Sequence, residues 1–206
     1  MYSPGKTSSY PDEPVDKGLR YHFLGGGSEV GNVGIVLEGV KGDRLLIDYG
    51  LAPTDPPRYP AEAPKVTDVI ITHSHIDHIG MVPWISGSHH STLHATHVTV
   101  ALSELMWRDC HKVSRIEGYP LPWDKRDIDF ALESWKVHNF GEWVKHGNWK
   151  WRLHRAGHIP GAAMVEIDTG NKKVLLSGDF DTRDSSLVSG ALPVDVDILF
   201  VEGTYG

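Results

Sequence analysis

Apolar positions in this chain fall into short runs, some alternating with polar residues and some continuous, broken repeatedly by glycine and proline. Residues 20–24, 33–37 and 44–48 are rich in β-branched or apolar side chains and bounded by glycines, which predicts three strands. Lys41-Gly42-Asp43 supplies a hairpin turn between the second and third. The proline-rich segment 52–64 predicts a loop without regular structure. A strand is expected at 68–71, then a helix through about Ile85, then a strand at 92–95. Over 98–113, Val100, Leu102, Leu105, Met106 and Cys110 recur near helical spacing. Asp124, after Pro122-Trp123, has the chemistry of an N-cap and opens a predicted helix at 124–135. The second half returns to strands at 142–145, 150–154, 163–168, 173–177 and 197–201, with Gly170-Asn171 as a tight turn. Strands, then helices, then strands predict an α/β layered fold. Two sheets pack face to face with helices outside, without alternating βαβ units.

A chain of 206 residues can bury a sizeable core, and 40% hydrophobic with 23% charged residues is an ordinary globular composition. No apolar run approaches the roughly 18 residues of a membrane span, so no membrane partner is expected. Residues 1–18 are rich in Ser, Pro, Gly and Asp and lack the apolar core of a signal peptide, which predicts a mobile leader before one domain at 19–206. Cys110 is the only cysteine, so no intrachain disulfide forms and a cytoplasmic location is expected. It reads as a small apolar residue of its helix.

The formal charge of −7 disfavours a polyanionic substrate unless something local reverses the field. Thr72-His73-Ser74-His75-Ile76-Asp77-His78-Ile79-Gly80 supplies the candidate. It sets three histidines and a carboxylate directly after an apolar strand, where a turn can aim all four into one space. Neutral imidazole and carboxylate are ligands for zinc and similar divalent ions, and two such ions add about four positive charges at the site. His158, in the rigid turn Ala156-Gly157-His158-Ile159-Pro160-Gly161, and Asp179, in Leu175-Leu176-Ser177-Gly178-Asp179, also follow strands. A carboxylate such as Asp179 can bridge two ions roughly 3.5–4 Å apart. His89, His90, His94, His97 and His111 lack such spacing and read as surface or helix residues. Gly25–Gly31 fails the dinucleotide fingerprint, since the third required glycine falls on Val30, and reads instead as a tight loop bringing backbone near the site. The five tryptophans between Trp123 and Trp151 read as core and sheet-edge packing.

Asp48 after its strand, the H-x-H-x-D-H cluster, His158 and Asp179 resemble, in order and approximate spacing, the motifs of the metallo-β-lactamase fold superfamily. The resemblance implies an αββα sandwich and two Zn²⁺, with Mn²⁺ or Fe as alternatives. His73, His75 and His158 would hold one ion; Asp77, His78 and a bridging Asp179 would hold the other, and Asp48 would orient the cluster loop by hydrogen bonds. Residues 26–32, 156–163 and 201–206 resemble the β-CASP branch, which includes ribonuclease J and the nuclease subunit of the cleavage and polyadenylation specificity factor. There Glu202 would match the acidic residue that supports a histidine near the scissile phosphate. In this branch the cap insertion would begin at about Gly206, so the expectation is the N-terminal portion of the fold, with the C-terminal part of the sandwich and the later histidine motifs outside this chain. A bare sheet edge of that kind would favour pairing as a homodimer.

The expected function is hydrolysis of a phosphodiester, most specifically RNA processing by a di-zinc-activated hydroxide, with Asp77 or Asp179 accepting the water proton. Two alternatives stand beside it. One is a small-molecule thioester or lactone hydrolase, favoured by the acidic charge. The other is a non-catalytic scaffold subunit, disfavoured by the six ligands present. Endo- versus exonuclease action, RNA versus DNA, and the metal in the cell are not legible in the residues.

Overall fold

The computed structural model describes residues 14–16 and 18–203. A first sheet contains β1 (Pro14–Asp16), β2 (Leu19–Gly25), β3 (Gly34–Gly39), β4 (Arg44–Ile47), β5 (Asp68–Ile70), β6 (Thr92–Ala95) and β7 (Trp135–Val137), in that spatial order. Helices α1 (Ile76–Ile79), α2 (Val82–His89), α3 (His97–Glu117) and α4 (Lys125–Glu133) lie between β5 and β7 in the chain. A second sheet runs in the order β12 (Ile198–Phe200), β11 (Lys173–Leu176), β10 (Ala163–Asp168), β9 (Trp149–Arg155), β8 (Val144–His146). The short strand β1 pairs with β2, so the sheet begins inside the segment expected to be a leader. Residues 1–13, 17 and 204–206 lie outside the described residues.

The expectation of no βαβ units is corrected by half of the first sheet. Strands β1 to β4 are antiparallel neighbours, but β4, β5, β6 and β7 are parallel. Parallel neighbours need crossovers, which here are the 52–67 loop, α1 with α2, and α3 with α4. The burial pattern gives the reason: Val69, Ile70, Leu93 and Ala95 are all buried, as in strands covered on both faces. A second correction concerns the helix expected at 124–135. Asp124 does cap it, with a reciprocal bond to Asp127, but the helix stops at Glu133. Trp135 instead opens β7, pairs with Leu93 of β6 and stacks on Trp107 at 5.9 Å.

Side chains alternate between two cores. Leu46, Val69, Ile71 and Leu93 face the helices and meet Ile79, Val82, Ile85, Trp107 and Ile128. Leu45, Ile47 and Ile70 face the second sheet and meet Trp151, Leu153, Val165, Ile167 and Leu176. This period of two locks the strand register, because a slip of one residue would exchange the cores. Trp123, Trp149 and Trp151 are buried as expected, while Trp143 is partly exposed beneath Lys150 and Arg152. Cys110 packs against the helical core, and burial pushes its thiol up to about 11. Among the described residues helices cover only the first sheet. The outer face of the second, at Met164 and Leu175, is covered in part by the segment carrying Phe180 and Ala191. No helix of the described residues is long and apolar enough to cross a membrane.

Candidate metal centre

The site is organised from Asp48, one residue beyond β4. Its backbone is left-handed, with φ of 57°, a conformation that aspartate tolerates better than most residues. Its carboxylate is buried and accepts three hydrogen bonds: from Thr72 N at 2.8 Å, from Thr72 Oγ1 at 2.7 Å and from His78 Nδ1 at 2.7 Å. Having given its proton to Asp48, the Thr72 hydroxyl can accept from His73 Nδ1, 3.1 Å away. A ring that donates from Nδ1 presents a lone pair at Nε2. Asp48 thus fixes the ring face that His73 and His78 turn to the centre, directly for one and through Thr72 for the other. Thr72 is the element that sequence reasoning missed; its place directly before the first histidine of the cluster is the available signal.

The remaining candidate ligands arrive from the second sheet. His158 follows β9 and Asp179 follows β11, so both stand at strand ends. Gly178 precedes Asp179 with φ of 51°, and an added Cβ would lie 2.8 Å from Thr72 Cβ. Only glycine lets this turn sit directly on the Asp48–Thr72 pair. On the first-sheet side, Val33 N donates to Asp77 O at 2.8 Å, so the end of the Gly-rich loop does bring backbone to the site.

Four of the six expected ligands form one group. One donor atom from each of His73, His75, His158 and Asp179 lies within 4.8 Å of the others. His75 Nδ1 is 3.0 Å from His73 Nε2 and 3.2 Å from His158 Nε2, while Asp179 Oδ2 is 3.7 Å and 3.6 Å from those same two Nε2 atoms. A tetrahedral ion with ligand bonds of about 2.0–2.1 Å spaces its ligands by roughly 3.3 Å, so the set fits such an ion. Asp77 and His78 adjoin this group. His78 Nε2 is 3.3 Å from Asp179 Oδ1 and 3.8 Å from Asp77 Oδ2. The two oxygens of Asp179 therefore face different neighbours, as a bridging carboxylate must. Glu202 is not in the cluster: its carboxylate accepts from Phe180 N at 3.4 Å, next to Asp179, and contacts no histidine of the group.

Protonation follows from the same geometry. Burial and the neighbouring imidazoles of His78, His75 and His158 hold His73 well below the usual histidine range, in the neutral form that binds metal. Burial and His158 lower His75 as well. Burial works against a charge on His78, but Asp48, Asp179 and Asp77 together push it up to about 10. Burial would raise Asp179; the hydrogen bond and charge of His78 reverse this and lower it.

The other histidines divide. His89 ends α2, His90 caps it, and His97 and His111 lie on α3, as expected. His94 does not: it is a buried residue of β6 and belongs to a second cluster between the sheets. His94 Nε2 is 2.8 Å from Asp68 Oδ1, His94 Nδ1 is 2.9 Å from His138 Nε2, and His146 Nδ1 is 3.2 Å from Asp68 Oδ2. Its members come from four separate stretches of chain, which hid it in the sequence.

Comparison with known proteins agrees with this geometry. The pattern of the metallo-beta-lactamase superfamily matches residues 26–197. Cleavage and polyadenylation specificity factor subunit 3 of Dictyostelium discoideum is 32% identical over 196 residues, covering 89% of this chain and 25% of that protein. An RNase J-like protein of Methanocaldococcus jannaschii is 31% identical, covering 91% of this chain and 42% of its own length. Both kinds of protein are those the motif resemblance led one to expect. The chain spans less than half the length of either relative. Among solved structures, an archaeal metallo-beta-lactamase superfamily protein from Sulfolobus tokodaii has a TM-score of 0.50 at 16% identity, covering 88% of this chain and 71% of that one, which bears on the fold alone. The ligand motifs, the two-sheet architecture and the matched span lead to one assignment: this chain belongs to the metallo-β-lactamase superfamily.

Proposed function

We propose that this chain carries the metal-holding part of a nuclease that hydrolyses phosphodiester bonds of RNA. The observation that carries the reading is the convergence of His73, His75, His158 and Asp179 within 4.8 Å. The names of the relatives, ribonucleases and a cleavage factor, select the phosphodiester class. In this reading those four residues hold one divalent ion, and Asp77, His78 and the second oxygen of Asp179 hold another. Zinc suits the nitrogen and oxygen donors, and manganese or iron are also accommodated. When bound, such ions acidify a water molecule and neutralise charge on the phosphoryl group.

The chain's own residues supply the rest. Asp48 and Thr72 keep the rings of His73 and His78 in their ligating orientation. Asp77, with 29% of its side chain exposed, is a carboxylate open to solvent beside the centre and accepts the proton of the attacking water. His158 and Asp179 are each 28% exposed, so the centre lies at an edge that a polymer can approach. Glu202 holds the backbone next to Asp179 and acts as a positioning residue.

The direct test is cleavage of end-labelled single-stranded RNA by zinc-loaded protein, with and without EDTA. The reading expects cleavage that EDTA stops and added Zn²⁺ restores. Efficient metal-dependent hydrolysis of a thioester or lactone, with RNA left intact, would select the small-molecule alternative.

A further inference from the structure

Away from the candidate metal centre, α3 and α4 carry five basic and six acidic residues, yet four of the basic ones are gathered around one cavity. Arg108, His111, Lys112 and Arg115 follow the i, i+3, i+4, i+7 spacing that places side chains on one side of a helix. Together with Lys125 of α4 they line a surface cavity of about 560 Å³, with Ile116 and Ile128 also in its wall. Local electrostatics accounts for only some of these cations. Arg108 pairs with Glu104 at 2.8 Å and approaches Asp129 at 4.0 Å. Arg115 lies in the last turn of α3, where it complements the negative end of the helix. Lys112 has no such partner among the ion pairs of the described residues. Lys125 stands at the first position of α4, at the positive end of that helix, where a cation is disfavoured. Four basic side chains thus line one cleft, and two of them, Lys112 and Lys125, have no ion-pair partner among the described residues.

Helix α3 also connects this cleft to the centre. At its start, Thr96 Oγ1 donates to Gly161 O at 2.7 Å and Thr99 Oγ1 to the same oxygen at 3.1 Å, in the turn that carries His158. From there, a rise of about 1.5 Å per residue puts Arg108 roughly 16 Å and Arg115 roughly 27 Å along the helix. We propose that the α3–α4 cleft is a binding site for the phosphate backbone of single-stranded RNA, holding the strand at a distance from the bond being cut. The proposal rests on the nuclease reading for its ligand. The charge arrangement supplies its place: a polyanion meets the cleft's cations and avoids the acidic remainder of the surface.

The test uses the full chain and a fluorescein-labelled oligouridylate, with binding measured by anisotropy over a range of salt. The cleft variant is Lys112→Gln/Arg115→Gln/Lys125→Gln. A control of equal charge change, Lys41→Gln/Lys136→Gln/Lys145→Gln, alters exposed lysines on the β3–β4 turn and on β7 and β8. The cleft variant should bind about tenfold more weakly or worse. Its plot of log affinity against log salt should be shallower by about 2, or about 0.7 for each of three lost phosphate contacts. The control should change much less, and zinc-dependent hydrolysis of a small chromogenic phosphodiester should be the same in all three proteins. Equal loss in the two variants, no loss in either, or no binding of RNA by the unaltered chain would overturn the cleft. The small-substrate assay reports on the nuclease reading separately: its absence would remove that reading even where cleft-dependent RNA binding stands.

Discussion

His73, His75 and His158 gather around Asp179, and His94, His138 and His146 are strung along Asp68. The residue types are the same; the arrangement of their nitrogens is opposite. Around Asp68 each contact can pair a donor with an acceptor. The carboxylate only accepts, so His94 Nε2 and His146 Nδ1 donate to it, and His94 Nδ1 is left to accept from His138 Nε2. Around Asp179, ring nitrogens meet at 3.0 and 3.2 Å with a carboxylate beside them, while Asp48 and Thr72 already take the Nδ1 protons of His78 and His73. One cation can take those lone pairs together. What distinguishes a metal centre from a buried polar network is therefore which nitrogen is already occupied, more than how many histidines are near.

The sharpest break of this comparison is His75→Ala. Losing the ligand between His73 and His158 should lower RNA cleavage by about 100-fold or more, exceeding what the loss of a supporting residue costs, with the thermal melt of the metal-free protein little changed. His94→Ala should do the converse. It leaves a cavity and strips the half-buried Asp68 and His138 of a partner, costing about 2–3 kcal/mol in a denaturant titration while cleavage by the remaining folded protein persists. Asp48→Asn sharpens the contrast from outside the ligand set: an amide in place of the carboxylate loosens the rings of His73 and His78 and should weaken zinc binding by about tenfold or more, read by competition with a chromophoric chelator.

The smallest effect is a pH dependence confined to the second cluster. The hydrogen bond to Asp68 raises His146 above its ordinary value. A group raised on folding contributes stability that is complete below its unfolded pKa of about 6.5 and is lost as pH rises through the folded value. The stability difference between the unaltered protein and His146→Gln should therefore shrink as pH is raised above about 6.5. A difference that grows with pH would contradict the His146–Asp68 pairing.

The first cluster was legible because its chemistry is local. H-x-H-x-D-H puts four ligands in six residues, and His158 and Asp179 sit in glycine-braced turns after strands. The second cluster was not, because Asp68, His94, His138 and His146 meet only when β5, β6, β8 and the segment after β7 are folded together. The fold divides similarly. The strands β5 and β6 were legible as apolar runs but their parallel pairing was not, and β7, three residues long, is too short for a period to show. Trp135 looked like a continuation of an amphipathic helix, since its stacking partner Trp107 lies on another element. Thr72 escaped notice because its role, relaying Asp48 to His73, exists only in three dimensions.

The central claim is that His73, His75, His158 and Asp179, and not the equally histidine-rich cluster at Asp68, hold the metal. Calorimetric titration of zinc into metal-free protein, into His75→Ala and into His94→Ala tests it without reference to activity. Tight zinc binding is expected of the unaltered chain and of His94→Ala, and its loss in His75→Ala. Tight binding that survives in His75→Ala and disappears in His94→Ala would contradict it.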